Sequence, residues 1–521
     1  MHRHRLRDRW LILLAVVSAA IAGVVACARP TATAVATVVA ALPVVHGPIP
    51  VTADSYPFNA SDHDAEPIDL ISHGYLEQEY LISGQANVYS WPALTTLTVD
   101  GSGAYLTRIL VRRPVDPRRF SGNVRVEPLN PTAGHDLDVQ WEIAHEAFMR
   151  NGDAYVGITV KPVSILALKK FDAQRYGSLS MANPHPARCT PSSPGSGPNS
   201  GKDSEDGLAW DAISQVGRLI KSDVPGNPLR DLRIRSSDLT GWSQSGSYTV
   251  IYLNAIARHA TLPGGTPIFD GYLPGAGSYA GTQINQCAPV IPPGDPRVQY
   301  NPPTGAPTVV VTTPTDFYSA ASYLRLADRP ADSDTPNRRI RLYEVGGGCH
   351  LPADHARFFP STAELARAGF PPFTDFVYPL SSFPLHVVLD AAWANLDAWV
   401  TMGISPPRAG RLTVADPSVW PVSAVKDAYG NPVGGVRTPS VDVPIATYVE
   451  RGPTVHHTTA GAYAGYDIPF APGYLKILYA THQDYVRTVR NDVRKLVDQR
   501  WLTPDDGAQL VSQAQAANVP G

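Results

Sequence analysis

The sequence predicts an α/β fold with a mostly parallel central sheet flanked by helices, cap insertions and a C-terminal extension. Three observations support this fold class. Short β-rich runs such as "NVRVEPLN" alternate with stretches of helical apolar spacing such as "LDVQWEIAHEAFMRNG". The run "AYVGITV" is apolar throughout, as expected for a strand that is buried on both faces. The resulting order of strand, loop, helix and strand is typical of parallel strands joined by right-handed crossovers.

The other elements follow in chain order. "YLEQEYLISGQANVYS" and "YLTRILVRRP" predict early strands, and "EDGLAWDAISQVGRLIKSD" predicts an amphipathic helix with acidic residues at its start. Later strands are predicted at "SSDLTGW", "TPIFDGYLPG", "PTVVVTTPTDFY" and "RRIRLYEVGGGCH". "LHVVLDAAWANLDAWVTMG" predicts a helix, and the tail predicts a hairpin at "DAYGNPVGG" and a helix over "LKILYATHQDYVRTVRNDVRKLVDQR".

The 521 residues are enough for one large domain with insertions. We expect that domain to span residues 51–521. Its Pro-, Gly- and aromatic-rich stretches at about 162–204 and 351–385 predict loop or cap insertions that shape a pocket. Residues 28–50 are rich in Ala, Thr, Val and Pro, which predicts a linker.

Residues 1–27 have the pattern of a signal peptide, with a basic start and a long apolar run that ends in "VVAC". A small residue before Cys27 resembles the lipobox of bacterial lipoproteins, in which the cysteine is lipidated. A plain signal peptide cleaved nearby and an uncleaved anchor are the alternatives. The expectation is an exported protein, secreted or held at the cell envelope, that meets the membrane only through its signal or lipid anchor.

Composition excludes some partners. Hydrophobic residues make up 43% of the chain and the net charge is -3 without a long charged block, so nothing indicates a nucleic-acid partner. Besides Cys27, the chain has Cys189, Cys287 and Cys349, and an exported protein can form one disulfide from these three. The sequence does not fix the pair; a Cys287–Cys349 bridge is a weak preference. It does not indicate an oligomeric state either.

The stretch "DLTGWSQSGSYTVIYLNAIA" carries the chemistry. A strand-like run, a turn of small residues and a helix-like run together predict a nucleophile elbow, with Ser243 as the nucleophile. The sharp turn requires small residues two positions before and after the serine, here Gly241 and Ser245. The Gln244 backbone N–H would then be one oxyanion donor. A plain surface turn is the alternative interpretation.

In this architecture the triad order along the chain is Ser, acid, His. His350 follows a β-rich run in a glycine-rich loop, which makes it the candidate base. His355 and His386 are alternative bases. A metal site with Asp354 and His355 is disfavoured, because the spacing of His350 and His355 does not match a helical metal pair.

The acid should follow the preceding strand, and Asp316 does so after "PTVVVTTPT". The spacing from Asp316 to His350 leaves room for a crossover. Asp316 would fix the imidazole tautomer and stabilise the imidazolium. Asp270, in "PIFDGY", is the alternative acid. The loop after the third predicted strand should supply a second oxyanion N–H near Asn130, although a loop asparagine that makes its own turn is equally consistent.

Several of these motifs resemble one family. "GWSQSGSY", "LNPTAGHDLDVQWEIAHEAFMRNGDAYVGITV", "GLAWDAISQVGRLIK", "RLYEVGGGCH" and "YGNPVGGVRTPSVDVPIATY" are similar to the bacterial alpha/beta hydrolase domain-containing proteins, large secreted or periplasmic members of the α/β-hydrolase superfamily. The resemblance implies a serine hydrolase of the α/β-hydrolase fold, with Ser243, Asp316 and His350 at the matching motif positions. Pro314 departs from the acidic residue expected there in many relatives.

The expected function is that of an exported serine hydrolase, of the carboxylesterase type, which forms an acyl-enzyme from a small ester or acyl substrate. This chemistry requires no metal and no organic cofactor. A peptidase or acyltransferase on the same triad, and a non-catalytic surface binding protein with a hydrolase fold, are the alternatives.

Overall fold

The computed structural model describes residues 37–188, 202–277, 283–289, 291–292, 294–300, 304–318, 326, 329–419 and 422–520. The predicted signal segment 1–27, the lipidation candidate Cys27, Cys189 and most of the Pro/Gly/Ser stretch before residue 202 lie outside these ranges. Within the described ranges, no helix combines the length and the apolar character that crossing a bilayer requires.

The strands of the described residues are β1 (Val38–Val39), β2 (Val44–His46), β3 (Tyr75–Ala93), β4 (Thr96–Pro114), β5 (Asn123–Pro128), β6 (Ala154–Ile158), β7 (Ser236–Trp242), β8 (Ala260–Thr261), β9 (Gly271–Gly275), β10 (Thr308–Thr312), β11 (Ser333–Thr335), β12 (Arg338–Glu344), β13 (Ala446–Val449) and β14 (Tyr466–Pro469).

The helices of the same residues are α1 (Val139–Asn151), α2 (Pro162–Phe171), α3 (Ala173–Tyr176), α4 (Ala209–Ile220), α5 (Gln244–Ile251), α6 (Pro314–Tyr318), α7 (Ala353–Ala356), α8 (Thr362–Ala368), α9 (Leu385–Met402), α10 (Pro439–Asp442), α11 (Pro472–Leu478), α12 (His482–Asp498) and α13 (Pro504–Ala516). Helix α5 continues as a π-helical segment over Tyr252–Ile256.

The central sheet has ten strands in the order β11-β12-β10-β9-β7-β5-β6-β4-β3-β2. The six strands from β12 to β6 in this order run parallel, and the remaining strands pair antiparallel. The fold is therefore the predicted one, a mostly parallel sheet flanked by helices. The carboxyl ends of β7, β9, β10 and β12 lie along one edge of the sheet, where parallel α/β folds bind their ligands.

Alternating strand residues face two separate cores. On β10, Val310 packs with the core that contains Trp210 of α4 and Tyr248 of α5. Its neighbours Val309 and Val311 face the opposite core, which contains Trp141 of α1. Because every residue of β10 is buried, the apolar run "TVVVT" is the run expected for a strand covered on both faces.

Two of the predicted segment boundaries are wrong. Residues 28–50 were expected to be a linker, but β2 pairs with β3 and β1 pairs with β8, so residues 38–46 belong to the fold. The predicted loop insertion that begins at residue 162 starts instead with the largely buried helix α2, for which Pro162 is a suitable first residue. The long C-terminal helix is divided into α11 and α12, with Thr481 capping the second by accepting a bond from the Asp484 N–H.

Candidate active site

Ser243 occupies the sharp turn between β7 and α5. Its backbone has φ 60° and ψ -121°, a conformation that a residue with a side chain adopts only under strain. The Ser243 N–H donates to the Gly275 carbonyl at the end of β9, at 2.9 Å, and this bond ties the turn to the neighbouring strand. The half-buried serine therefore stands at the carboxyl edge of the sheet in the geometry of a nucleophile elbow.

The residues around Ser243 show why this turn needs small side chains. A Cβ at Gly241 would lie 2.4 Å from the Ser245 backbone, and one at Gly246 would lie 2.3 Å from the Gly275 carbonyl oxygen. Ser245 stands where glycine is usual, and its buried hydroxyl accepts from the Trp242 N–H at 3.0 Å and donates to the Trp242 carbonyl at 2.9 Å. The Ser245 hydroxyl thus stabilises the turn, which explains why serine is tolerated there.

His350 and Asp316 meet beyond the ends of two adjacent parallel strands. Asp316 lies in the first turn of α6, just after β10, and His350 lies in the glycine-rich loop after β12. The His350 Nδ1 and the Asp316 Oδ1 are 2.7 Å apart. The other carboxylate oxygen accepts from the backbone N–H of Thr313 at 2.7 Å and from its hydroxyl at 3.0 Å. Because both carboxylate oxygens are held, Asp316 fixes the orientation of the His350 ring.

Trp242 connects this pair to the elbow. Its indole Nε1–H donates to the His350 carbonyl at 3.1 Å, and the centres of the two rings are 5.9 Å apart. The ring of Tyr463 also packs against that of His350, with the ring centres 5.1 Å apart. Since Trp242 directly precedes Ser243, these contacts bring the histidine, the aspartate and the serine to the same part of the sheet edge.

The predicted oxyanion donors differ in their availability. Gln244 is the first residue of α5, where a backbone N–H has no partner within the helix. The Asn130 N–H, in contrast, donates to the Leu137 carbonyl at 2.8 Å, so the prediction of Asn130 as a backbone donor is wrong. Its side-chain amide instead donates to the Trp242 carbonyl at 2.7 Å and holds the elbow. Sequence reasoning missed this role, since nothing local indicates it.

A family model described as an alpha/beta hydrolase domain matches residues 45–512, which is most of the chain. The chain belongs to the alpha/beta hydrolase family. A search for curated relatives finds none.

Three solved esterase structures are similar to parts of this alpha/beta hydrolase. Esterase Est22 is 11% identical, with 58% of this chain and 80% of that chain covered and a TM-score of 0.30. A thermostable esterase from Pseudomonas putida ECU1011 is 11% identical, with 48% and 66% covered and a TM-score of 0.26. Methylesterase BT1017 is 13% identical, with 46% and 43% covered and a TM-score of 0.25. The match thus spans less than half the length of that methylesterase.

Asp270, the alternative acid, lies at the other edge of the hydrolase sheet. It precedes β9 instead of ending a strand, and its carboxylate accepts from the Ser237 N–H at 2.8 Å and from Lys221 Nζ at 2.7 Å. Ser237 is the second residue of β7 whereas Ser243 directly follows the last, so nearly the whole length of the strand separates Asp270 from the elbow. Asp270 therefore links the start of β7 to Lys221 and lies away from His350.

The two alternative bases lie beside other carboxylates. His355 Nε2 lies 2.7 Å from Glu142, and burial lowers the pKa of His355 to about 3. His386 Nδ1 lies 2.6 Å from Asp354. Burial by itself lowers the pKa of His386, but the hydrogen bond and charge of Asp354, with further carboxylates, raise it to about 9. The first ring is thus neutral and the second protonated at neutral pH.

The expected Cys287–Cys349 disulfide is wrong. Cys349 is a free, buried thiol, and burial raises its pKa to about 12. Cys287 does form a disulfide, whose partner lies outside the described residues. Within the described part of the chain, no group of three or more His, Cys, Asp or Glu side chains is arranged to hold a metal ion.

Proposed function

We propose that the chain is an exported serine hydrolase that cleaves carboxylic esters through an acyl-enzyme on Ser243, His350 and Asp316. The observation that carries the proposal is the strained Ser243 turn with the hydrogen-bonded His350–Asp316 pair fastened to it through Trp242. A non-glycine residue held at positive φ between a strand and a helix is characteristic of a nucleophile elbow.

The roles follow from the contacts. The His350 Nδ1 faces Asp316, which leaves Nε2 to take the proton as the Ser243 hydroxyl attacks the ester carbonyl. The Gln244 N–H at the start of α5 donates to the oxyanion that forms on the carbonyl oxygen. The protonated His350 gives its proton to the departing alcohol. Water, deprotonated by the same ring, then attacks the acyl-enzyme and releases the carboxylic acid with a free Ser243.

The proposal includes export, which the basic and apolar pattern of residues 1–27 supports. Its test is the mature N-terminus. Mass spectrometry of the protein made in a bacterial host should find a first residue at or near Cys27, and intact residues 1–27 on a cytoplasmic product would contradict export.

The test of activity is hydrolysis of p-nitrophenyl acetate, butyrate and octanoate, with p-nitroanilides of the same acids beside them. Wild type should hydrolyse at least one ester and prefer it to the anilide, and Ser243→Ala should abolish that activity. Ser72→Ala is the matched control, because Ser72 is an exposed serine whose hydroxyl donates to the Asp69 carbonyl at 2.9 Å. No turnover of any ester by the folded wild type, or equal turnover by Ser243→Ala, would contradict the proposal.

A further inference from the structure

A second histidine–aspartate pair lies just beyond His350. Asp354 is four residues after His350, on the short helix α7, and its Oδ2 is 2.6 Å from the Nδ1 of His386. His386 is the second residue of α9, an 18-residue helix that packs on the central sheet. The pair therefore fastens the loop that carries His350 to one of the long helices of the fold.

The surroundings of His386 keep its ring charged. Asp390 lies one turn further along α9 and is buried, and Asp506 approaches from α13. Arg150 of α1 bridges these two carboxylates, at 3.2 Å from Asp506 and 3.8 Å from Asp390. The His386 Nε2 is buried without a hydrogen-bond partner among the described residues. Burial lowers the pKa of His386, and the hydrogen bond and charge of Asp354, the carboxylate in contact with the ring, are the main causes that raise it; burial raises the pKa values of Asp390 and Asp506.

The charged groups around the ring come from four elements. They are Asp354 on α7, Asp390 on α9 itself, Asp505 and Asp506 on α13, and Arg150 and Glu146 on α1.

We propose that His386 is a positioning residue: its ring holds Asp354, and through Asp354 it fixes the loop that places His350 beside Ser243. This inference rests on the proposed function of that site. The intervening chain can transmit the constraint, because Leu351 pairs with Ala464 and the Ala353 N–H donates to the Ser381 carbonyl at 2.9 Å. Residues 350–354 are therefore anchored at several points, and the Asp354 anchor is the one whose partner is His386.

The direction of the pH dependence follows from the raised pKa. The folded-state pKa of His386 is about 9, above the ordinary value of 6.5. The contribution of the His386 charge to the stability of the folded protein is therefore complete below pH 6.5. It decreases as the pH rises from 6.5 to about 9 and is lost above about 9. We expect the ordering of the His350 loop, and with it the reactivity of Ser243, to follow the native-state titration near pH 9.

The test compares His386→Asn with wild type. The asparagine amide can take the place of the Nδ1–H donor but carries no charge. The measurements are the rate of Ser243 labelling by a fluorophosphonate and kcat and KM for a p-nitrophenyl ester, each from pH 6 to 10.5. Wild type should be faster by about 10- to 100-fold at pH 7, chiefly in kcat, since small misplacement of a reacting group has effects of that size. The two curves should converge above pH 9, where wild type has also lost the charge.

The matched control is His456→Asn. His456 Nδ1 is 2.7 Å from Asp375, so the pair has nearly the same length, but the histidine side chain is 79% exposed. This variant should follow the wild-type curve. If the rates of His386→Asn stay below those of wild type by the same factor from pH 6 to 10.5, the proposal is overturned. A purely structural defect would lower the rates at every pH, whereas loss of the His386 charge should lower them only where wild-type His386 is protonated.

A measurement that does not need catalysis separates this proposal from the proposed function. In Ser243→Ala protein, the proton shared by His350 and Asp316 should give a downfield ¹H NMR signal that broadens above pH 9. Addition of His386→Asn should broaden it already at pH 7, even if no ester is ever hydrolysed. A signal that stays sharp in the double variant would overturn the positioning role.

Discussion

Two histidine–aspartate pairs in this molecule have almost the same geometry and different surroundings. The Nδ1 to carboxylate distance is 2.7 Å for His350 and Asp316 and 2.6 Å for His386 and Asp354. Both pairs are largely buried. The His350 ring, however, packs against Trp242, the residue before Ser243, with the ring centres 5.9 Å apart. His386 lies near additional carboxyl groups at the start of α9.

The difference shows that a hydrogen-bonded carboxylate does not by itself make a histidine a base. The surroundings of His386 raise its pKa to about 9, so at neutral pH its ring already carries the proton that a base would have to accept. The His350 ring bonds to Asp316, whose second oxygen accepts from Thr313, and its backbone carbonyl accepts from Trp242, the residue before the strained Ser243. The neighbours of each pair are therefore the basis for the catalytic role proposed for His350 and the positioning role proposed for His386.

The largest effect is expected from removal of the His350 ring. His350→Gln should slow ester hydrolysis and fluorophosphonate labelling by at least about 10³-fold, because the proposed mechanism assigns the serine proton to this ring. The check is kcat/KM at pH 7.5 for both variants. An equal loss in His350→Gln and His386→Asn would remove the distinction between the two pairs.

Substitution of Asp316 should lower kcat more than substitution of Asp354 does. Asp316→Asn should lower kcat by about 10³- to 10⁴-fold, since the amide favours the wrong tautomer of the His350 ring. Asp354→Asn should lower kcat by at most about 10²-fold, since the role proposed for Asp354 is to hold the His350 loop. Steady-state kinetics with matched thermal unfolding curves would check both values. If Asp354→Asn lowered kcat as much as Asp316→Asn does, the assignment of Asp316 as the triad acid would be contradicted.

A smaller effect is expected from substitution of Asn130, whose side chain bonds the Trp242 carbonyl next to Ser243. Asn130→Ala removes the hydrogen bond to the Trp242 carbonyl, which keeps its bond from Ser245. The unfolding free energy should fall by about 1 kcal/mol, and labelling of Ser243 by about 10-fold, as the elbow loosens. Urea unfolding and labelling rates check the pair of values. Loss of stability without any loss of labelling would show that Asn130 does not position the turn.

The smallest effect is expected at the opposite edge of the sheet. Asp270→Asn weakens the contacts to Lys221 and to the Ser237 N–H, which lies near the start of β7, far from Ser243. The activity should stay within about two-fold of wild type, while the unfolding temperature falls slightly. A loss of activity comparable to that of Asp316→Asn would restore Asp270 as a candidate acid.

The sequence predicts the sheet, the Ser243 turn and the Asp316–His350 contact because each leaves a local signal. Strand runs, small residues at Gly241 and Gly246, and polar residues after strand ends are readable one segment at a time. Contacts between distant segments leave no such signal. The His386–Asp354 pair is separated by 32 positions, and the Asn130–Trp242 bond by 112.

Two further misses have the same cause. The short strands β1 and β2 lie in an Ala/Thr/Val/Pro stretch that reads as a linker, and only their pairing with β8 and β3 makes them strands. Cysteine pairing depends equally on tertiary structure. Cys349 is next to His350 in sequence, yet its thiol is buried and free.

The most direct measurement is the mapping of the fluorophosphonate adduct by peptide mass spectrometry at pH 7.5. We expect one phosphonylated residue, Ser243, in wild type, His386→Asn and His456→Asn, and no adduct in His350→Gln over the same time. An adduct on another serine, or modification of Ser243 at the wild-type rate in His350→Gln, would contradict the assignment of nucleophile and base.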